Sequence, residues 1–207
     1  MTTIIDYGTG NIGSIANMLK KINESSVVTA DKTEIEKATR LILCGVGSFD
    51  DGMKKLEELE IIEILNKRVL KDNIPILGIC LGMQLFAKGS EEGTKAGLGW
   101  VDAYTKRFSF DGISSERPLR VPHMGWNKVR PSKSSNLIKG LEKDARFYFV
   151  HSYHVALCNK ADELLQTQYG YPFTASFEHK NIIGVQFHPE KSHSFGIRLF
   201  ENFIRNY

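Results

Sequence analysis

Cys80 lies inside Gly78-Ile79-Cys80-Leu81-Gly82, at the end of one apolar run, Pro75–Ile79, and the start of another. Glycine two residues either side of a nucleophile is the pattern of a sharp strand-to-helix turn, where backbone segments come too close to leave room for Cβ atoms. A thiol held there projects over a sheet edge. A helix N-terminus beneath it favours negative charge on sulfur. The amide of the next residue, Leu81, can face a developing oxyanion. A small, inert, buried cysteine is the competing reading, and the flanking glycines weigh against it without excluding it.

A thiolate nucleophile needs a base. The chain has six histidines: His123, His151, His154, His179, His188 and His193. His188 stands out because Gly184–Ser192 reads GVQFHPEKS, so it closes a β-type run and is followed by Pro189 and Glu190. Proline predicts an extended path, which sets His188 and Glu190 two apart along one edge, where the carboxylate orients and charge-stabilises the imidazole. Nucleophile, base and orienter are then all present. His151 and His154 flank Tyr153 and read as structural or pocket-lining residues, and His179 as a turn residue. His193 has no assignment.

A second constellation competes. Gly8-Thr9-Gly10-Asn11-Ile12-Gly13 fits a dinucleotide-binding turn, with Asp31 near the position of a ribose-binding acid. Bare glycine patterns recur at strand-to-helix turns for steric reasons. The favoured reading is therefore a tight turn at the carboxyl edge of a sheet, and a noncatalytic binding protein stays open as an alternative.

The elements that must carry these residues follow from periodicity. Strands are predicted at Thr3–Asp6, Ser25–Thr29, Arg40–Cys44 and Pro75–Ile79. Helices alternate with them at Ile12–Lys21, Lys32–Ala38, Met53–Lys71 and from Leu81. Such alternation predicts a parallel sheet with crossover helices. The second half is β-rich, with runs at Leu98–Phe108, Asn127–Arg130, Phe147–Tyr153, Thr174–Glu178 and Ile182–Phe187, and a closing helix at Phe195–Asn206. Phe110–Pro122 reads as a loop, either ordered or mobile. One α/β domain over residues 1–207 is expected, with a mostly parallel central sheet, helices on both faces and an antiparallel extension.

Bulk properties bound the rest. A formal charge of +3 is too small and too evenly spread to point to nucleic acid or a membrane surface. Lys54-Lys55 and the stretch from Arg117 to Lys133 read as solvated faces. Cys44, Cys80 and Cys158 show neither paired nor metal-ligand spacing, and an odd count argues for a reducing compartment. With no signal-peptide pattern and no apolar run near the roughly 18 residues of a membrane span, a soluble, cytoplasmic protein without cofactor or metal is expected.

GICLGMQLF around Cys80, PHMGWN at Pro122–Asn127, YFVHSYH at Tyr148–His154 and GVQFHPEKS together resemble the class I glutamine amidotransferases of flavodoxin-like fold. The likeness spans essentially the whole chain. PHMGWN, FVHSY and Met83 before Gln84 are similar to the glutaminase subunits of imidazole glycerol phosphate synthase. The resemblance implies that Cys80 attacks the side-chain amide of L-glutamine, that His188 moves the proton to departing ammonia, and that Glu190 holds His188. It implies glutamine contacts at Gly47, Leu81, Gln84, Glu92, His151 and Ser152. For Glu92, simple solvation beside Glu91 is the rival. CGVGSF at Cys44–Phe49 corresponds to the family's oxyanion strand, with Cys44 where proline is usual, so the gating of that strand is expected to change. The implied partner is a (β/α)8-barrel cyclase in a heterodimer, receiving ammonia for histidine biosynthesis. Docking candidates are Asn11, Met124, Trp126, Asn127, Tyr148 and Lys191, a buried Trp126 being the alternative. A paralogue feeding another amidotransferase, such as one for a nitrogen-bearing surface sugar, stays open. So does a peptidase-like cysteine hydrolase, against which His-Pro-Glu and Gln84 argue.

Overall fold

The structure is a computed structural model that describes residues 1–115 and 118–207. The start of the basic stretch, at Arg117, lies outside the described residues. In chain order the elements are β1 (Thr2–Ile5), α1 (Ile12–Lys21), β2 (Ser26–Thr29), α2 (Lys32–Lys37), β3 (Arg40–Gly45), α3 (Phe49–Glu58), α4 (Ile62–Asn66), β4 (Ile76–Cys80), α5 (Leu81–Leu85), β5 (Ala103–Arg107), β6 (His123–Pro131), β7 (Arg146–His151), β8 (Tyr153–Leu157), β9 (Glu163–Tyr169), β10 (Tyr171–His179), β11 (Ile182–Val185) and α6 (His193–Asn206).

Nine strands form one sheet in the order β2-β1-β3-β4-β11-β10-β9-β6-β7. The first five run parallel, and β10, β9, β6 and β7 continue the sheet antiparallel. β5 and β8 make a separate antiparallel pair. The parallel strands are apolar on both sides because both faces are covered. On one face Ile4, Ile42, Leu77 and Ile183 meet α1 and α6 through Leu19, Leu199 and Phe203. On the other, Ile5, Leu41, Leu43 and Ile76 meet α2 to α5 through Ile35, Leu56, Leu65 and Met83. This is the expected α/β architecture with helices on both faces.

Three expectations need correction. The long helix Met53–Lys71 is two helices, and the first begins earlier, at Phe49, where the Ser48 hydroxyl accepts from the Asp51 N–H. α3 stops because Glu60 takes a left-handed φ of +53°. The Glu60 N–H then bonds the Glu57 carbonyl and the Ile61 N–H the Leu56 carbonyl, while the Leu56 and Ile61 side chains are both buried. That is the Schellman closure with glutamate where glycine is usual, so the sequence shows no break. A π-helical turn, Lys67–Lys71, ends the second helix. The run Phe147–Tyr153 is divided between β7 and β8, which join different sheets on either side of Ser152. β9 was not foreseen, its Leu164 and Leu165 being embedded among glutamate and glutamine. The loop around Phe110 is tethered: Tyr169 donates its hydroxyl to the Arg120 carbonyl at 2.8 Å.

The elbow at Cys80 brings backbone segments very close together. A Cβ on Gly82 would sit 1.8 Å from the Leu43 carbonyl oxygen, and one on Gly78 2.5 Å from the Phe86 ring. Gly82→Ala is therefore expected to destabilise the chain by about 3 kcal/mol, lowering Tm by roughly 10 °C. An unchanged melting temperature in scanning calorimetry refutes this account of the glycine.

Candidate active site

Three parallel strand ends converge. In register, Gly45 at the end of β3 faces Cys80 at the end of β4, and Ile79 of β4 faces Val185 at the end of β11. The carboxyl edge of a parallel sheet is where ligands approach such folds. A cavity of about 330 Å³ opens at that edge, a size suited to a small ligand. Cys80 sits in its wall at φ +55°, ψ −110°, a strained conformation for a non-glycine residue. α5 beneath it has only five residues, so its free first-turn N–H groups, rather than a long dipole, supply positive potential.

His188 follows β11. Its Nδ1 lies 2.9 Å from Glu190 Oε1, and both side chains are almost dry, at 3% and 1% exposure. The route differs from the extended path expected: Pro189–Lys191 is a single 3-10 turn, and that turn brings the carboxylate back to the ring. Burial alone would lower the imidazole's proton affinity. The partnership with Cys80 and Glu190 outweighs burial and raises it to about 9. Among the described residues His188 Nε2 and Glu190 Oε2 are buried without a hydrogen-bond partner, and the open His188 nitrogen suits a group held ready for a substrate. The His188 N–H donates to the Tyr148 carbonyl at 2.8 Å, and Ser192 bonds both the His188 carbonyl and the Tyr148 N–H.

Of the expected glutamine contacts, Gly47, Leu81, Gln84, Glu92, His151 and Ser152 all line the cavity. Glu92 is anchored: its Oε2 accepts from the Phe49 N–H at 2.8 Å. Burial, with Asp50 and Asp51 nearby, raises its carboxyl's proton affinity against the pull of that N–H. Gly47 has φ +114°. The preceding residue, Val46, is clasped by Thr9: its N–H donates to Thr9 Oγ1 at 3.2 Å, and the same hydroxyl donates to its carbonyl. The glycine turn at Gly8–Gly13 thus braces the strand end after β3, with Gly10 packed against Cys44. Asp31, the other half of the dinucleotide pattern, caps α2 by accepting from the Glu34 N–H at 3.0 Å.

Cys44, packed against Gly10, is a second buried thiol. Burial, reinforced by the charge of Glu190, pushes it up to about 12, so it stays a neutral thiol. The sequence reading missed Val46, Pro122, Val150 and Tyr153 in the cavity wall, since apolar residues and main-chain groups carry no chemical signature. It also missed Gln186, 3.9 Å from Cys80 Sγ, because it lies in a bend after β11 that periodicity does not mark. His154 bonds the Tyr171 hydroxyl, and His179 pairs with Asp162 at the end of β10.

The docking candidates do not form one group. Met124 and Trp126 are exposed at 62% and 45%, which removes the buried-tryptophan alternative. Trp126 stacks on His193 and meets Tyr148 edge-on, and the Lys191 ammonium sits 5.7 Å from the centre of the Tyr148 ring. Asn127 is on the opposite face of β6, bonding the Gln168 carbonyl. Asn11 stands at the N-terminus of α1, bonded to Ser14. A larger groove, about 600 Å³ between α2 and α4, holds the Lys32–Glu60 and Lys67–Glu36 ion pairs and no convergent chemistry. No group of three potential metal ligands occurs among the described residues, nor a helix long and apolar enough to cross a membrane.

Residues 3–207 match the family model of class I glutamine amidotransferases. A Methanococcus maripaludis protein named imidazole glycerol phosphate synthase subunit HisH 2 is 51% identical over 205 residues, covering 99% of each chain. A Pseudomonas aeruginosa protein of the same name is 43% identical over 204 residues, 99% of this chain and 98% of that one. Among solved structures, one titled glutamine amidotransferase superposes with a TM-score of 0.75 at 18% identity, over 98% of this chain and 96% of the other. That last likeness concerns the fold.

Proposed function

Because the chain belongs to the class I glutamine amidotransferases, we propose that it hydrolyses L-glutamine to glutamate and ammonia through Cys80, His188 and Glu190, as a single domain and as the glutaminase subunit of an imidazole glycerol phosphate synthase. The observation that carries this reading is the dry His188–Glu190 pair next to a cysteine on a glycine-flanked elbow, at a cavity sized for a small ligand. Cys80 Sγ attacks the carboxamide carbon, and negative charge grows on the amide oxygen. The Leu81 N–H is placed to meet that charge, and Val46 or Gly47 can add a second donor once Val46 leaves Thr9. His188 gives its Nε2 proton to departing ammonia, leaving a glutamyl thioester. It then takes a proton from water as the water attacks, and thiolate returns. Glu190 holds the imidazole ring in place. Glu92 and the Gln84 oxygen suit the ammonium end of the substrate.

Ammonia released into water would be protonated and lost, so the reading includes a (β/α)8-barrel cyclase that receives it, in a cytoplasmic heterodimer. Met124, Trp126, Tyr148 and Lys191 suit the centre of that interface, with Asn11 and Asn127 at its margin. Purified chain should release glutamate slowly alone, and about 5- to 150-fold faster with the cyclase and its ribonucleotide ligand, the range usual for coupled sites. Cys80-dependent turnover that ignores the cyclase would favour a second reading, a glutaminase serving another synthase. One observation supports that one: Cys44 stands where the family resemblance expects proline.

A further inference from the structure

Beyond β11 the chain bends at Gln186 and Phe187, which buries Phe187 in the core and turns the Gln186 side chain toward Cys80 Sγ. We propose that Gln186 is a positioning residue for Cys80, holding the sulfur with a side-chain N–H whose direction is imposed by a buried hydrogen-bond chain starting at the Tyr153 carbonyl. This rests on the reading of Cys80 as nucleophile and adds a partner to it.

The direction of the chain follows from what each group can do. A backbone carbonyl only accepts. The Tyr153 carbonyl takes a hydrogen from His151 Nδ1 at 2.7 Å and one from Gln84 Nε2 at 3.0 Å. Gln84 must therefore turn its nitrogen inward, and the same nitrogen gives its other hydrogen to Gln186 Oε1 at 3.1 Å. With its oxygen committed to Gln84, Gln186 can only present Nε2 to Cys80 Sγ, 3.9 Å away. Flipping Gln84 would set its oxygen against the Tyr153 carbonyl and Gln186 Oε1, and flipping Gln186 would set two N–H donors against each other and an oxygen against the sulfur. Gln84 and Gln186 are 5% and 0% exposed, so water offers no relief. The sulfur thus always faces an N–H donor, whose direction the chain fixes.

The far end is braced in the same way. With Nδ1 of His151 spent on Tyr153 and the ring held neutral by burial, Nε2 is an acceptor, and it takes a hydrogen from His123 Nδ1 at 3.1 Å. Both N–H bonds of Gln84 are also spent, so Oε1 is what Gln84 offers to the cavity. An acceptor there matches the N–H groups of an amino acid.

Alkylation by iodoacetamide, in the full chain with Cys158→Ser removing the exposed thiol, tests the proposal. The rate at pH 7 is compared with its plateau at high pH, which separates ionisation from access. Gln186→Leu and Gln186→Glu should each lower that ratio about tenfold, because alkylation follows the thiolate fraction. An unchanged ratio in both variants overturns the proposal. So does a fall in Gln186→Leu alone, which would mean that shape at 186 matters and the donor does not. If neither variant folds, Gln84→Met, which frees the Gln186 amide to turn, should lower the ratio about threefold, and no change there is equally fatal. Alkylation reads the sulfur and not turnover, so a chain that releases no glutamate would end the functional reading while leaving this measurement decisive.

Discussion

Cys80→Ala is expected to lower glutamate release by a factor on the order of 10⁴ or more, the usual cost of deleting a covalent nucleophile. Alanine keeps the Cβ and fits the same φ of +55° as well as cysteine does, so the elbow and the packing of Gly78 and Gly82 stay as they are. Only the sulfur, the atom proposed to form the thioester, is lost. Residual hydrolysis would have to use water polarised by the same donors, a far weaker route. Cys44 cannot take over, because burial beside Glu190 keeps it a neutral thiol up to about 12. A coupled assay for glutamate, run with a melting curve to verify folding, decides the matter. Turnover within tenfold of the parent chain would show that Cys80 is structural.

Glu190→Gln comes next in size, with a loss of about 10³-fold, near the cost of removing the orienting carboxylate from other triads. The side chain is 1% exposed and bonds His188 Nδ1 at 2.9 Å, so its charge acts through little water. The pH dependence carries a definite sign. Cys80 and Glu190 lift the proton affinity of His188 from the ordinary 6.5 to about 9, so the imidazole keeps the proton it must give to ammonia until the pH rises through that value. Glutamine amide does not attract the proton as a carboxylate does. The variant must therefore lose activity at lower pH than the parent, with the alkaline limb moving toward 6.5. Profiles of kcat/KM against pH report the free enzyme's groups directly. An alkaline limb that stays in place would assign the raised affinity to Cys80 alone.

The order of secondary structure through β4 was readable because apolar periodicity and turn residues agree there: α1 spans Ile12–Lys21 as its apolar spacing required. The break after α3 was hidden because glutamate at 60 performs a turn usually marked by glycine. Glycines two residues either side of Cys80 marked its turn, whereas Pro189 marked the place of His188 and Glu190 but implied an extended path where a 3-10 turn is found. Thr9, Gln186 and the Tyr153 carbonyl had no such mark. Their roles arise from contacts 37, 106 and 69 positions apart in the chain, and nothing in their neighbours announces them.

The placement of β11 has a consequence for how the molecule comes into being. It is the last strand in the chain, yet it lies in the middle of the nine-stranded sheet, and it alone joins the parallel half to the antiparallel half. A nascent chain shorter than about residue 180 holds two unfinished sheets with open edges, one of them carrying Cys80 with neither its base nor its orienter. Insertion of Ile182–Val185 pairs Val185 with Ile79 across a loop of more than a hundred residues, the kind of non-local step that is slow to reach. Closure of the sheet and delivery of Gln186, His188 and Glu190 to the Cys80 edge are one event, because all three follow β11 directly.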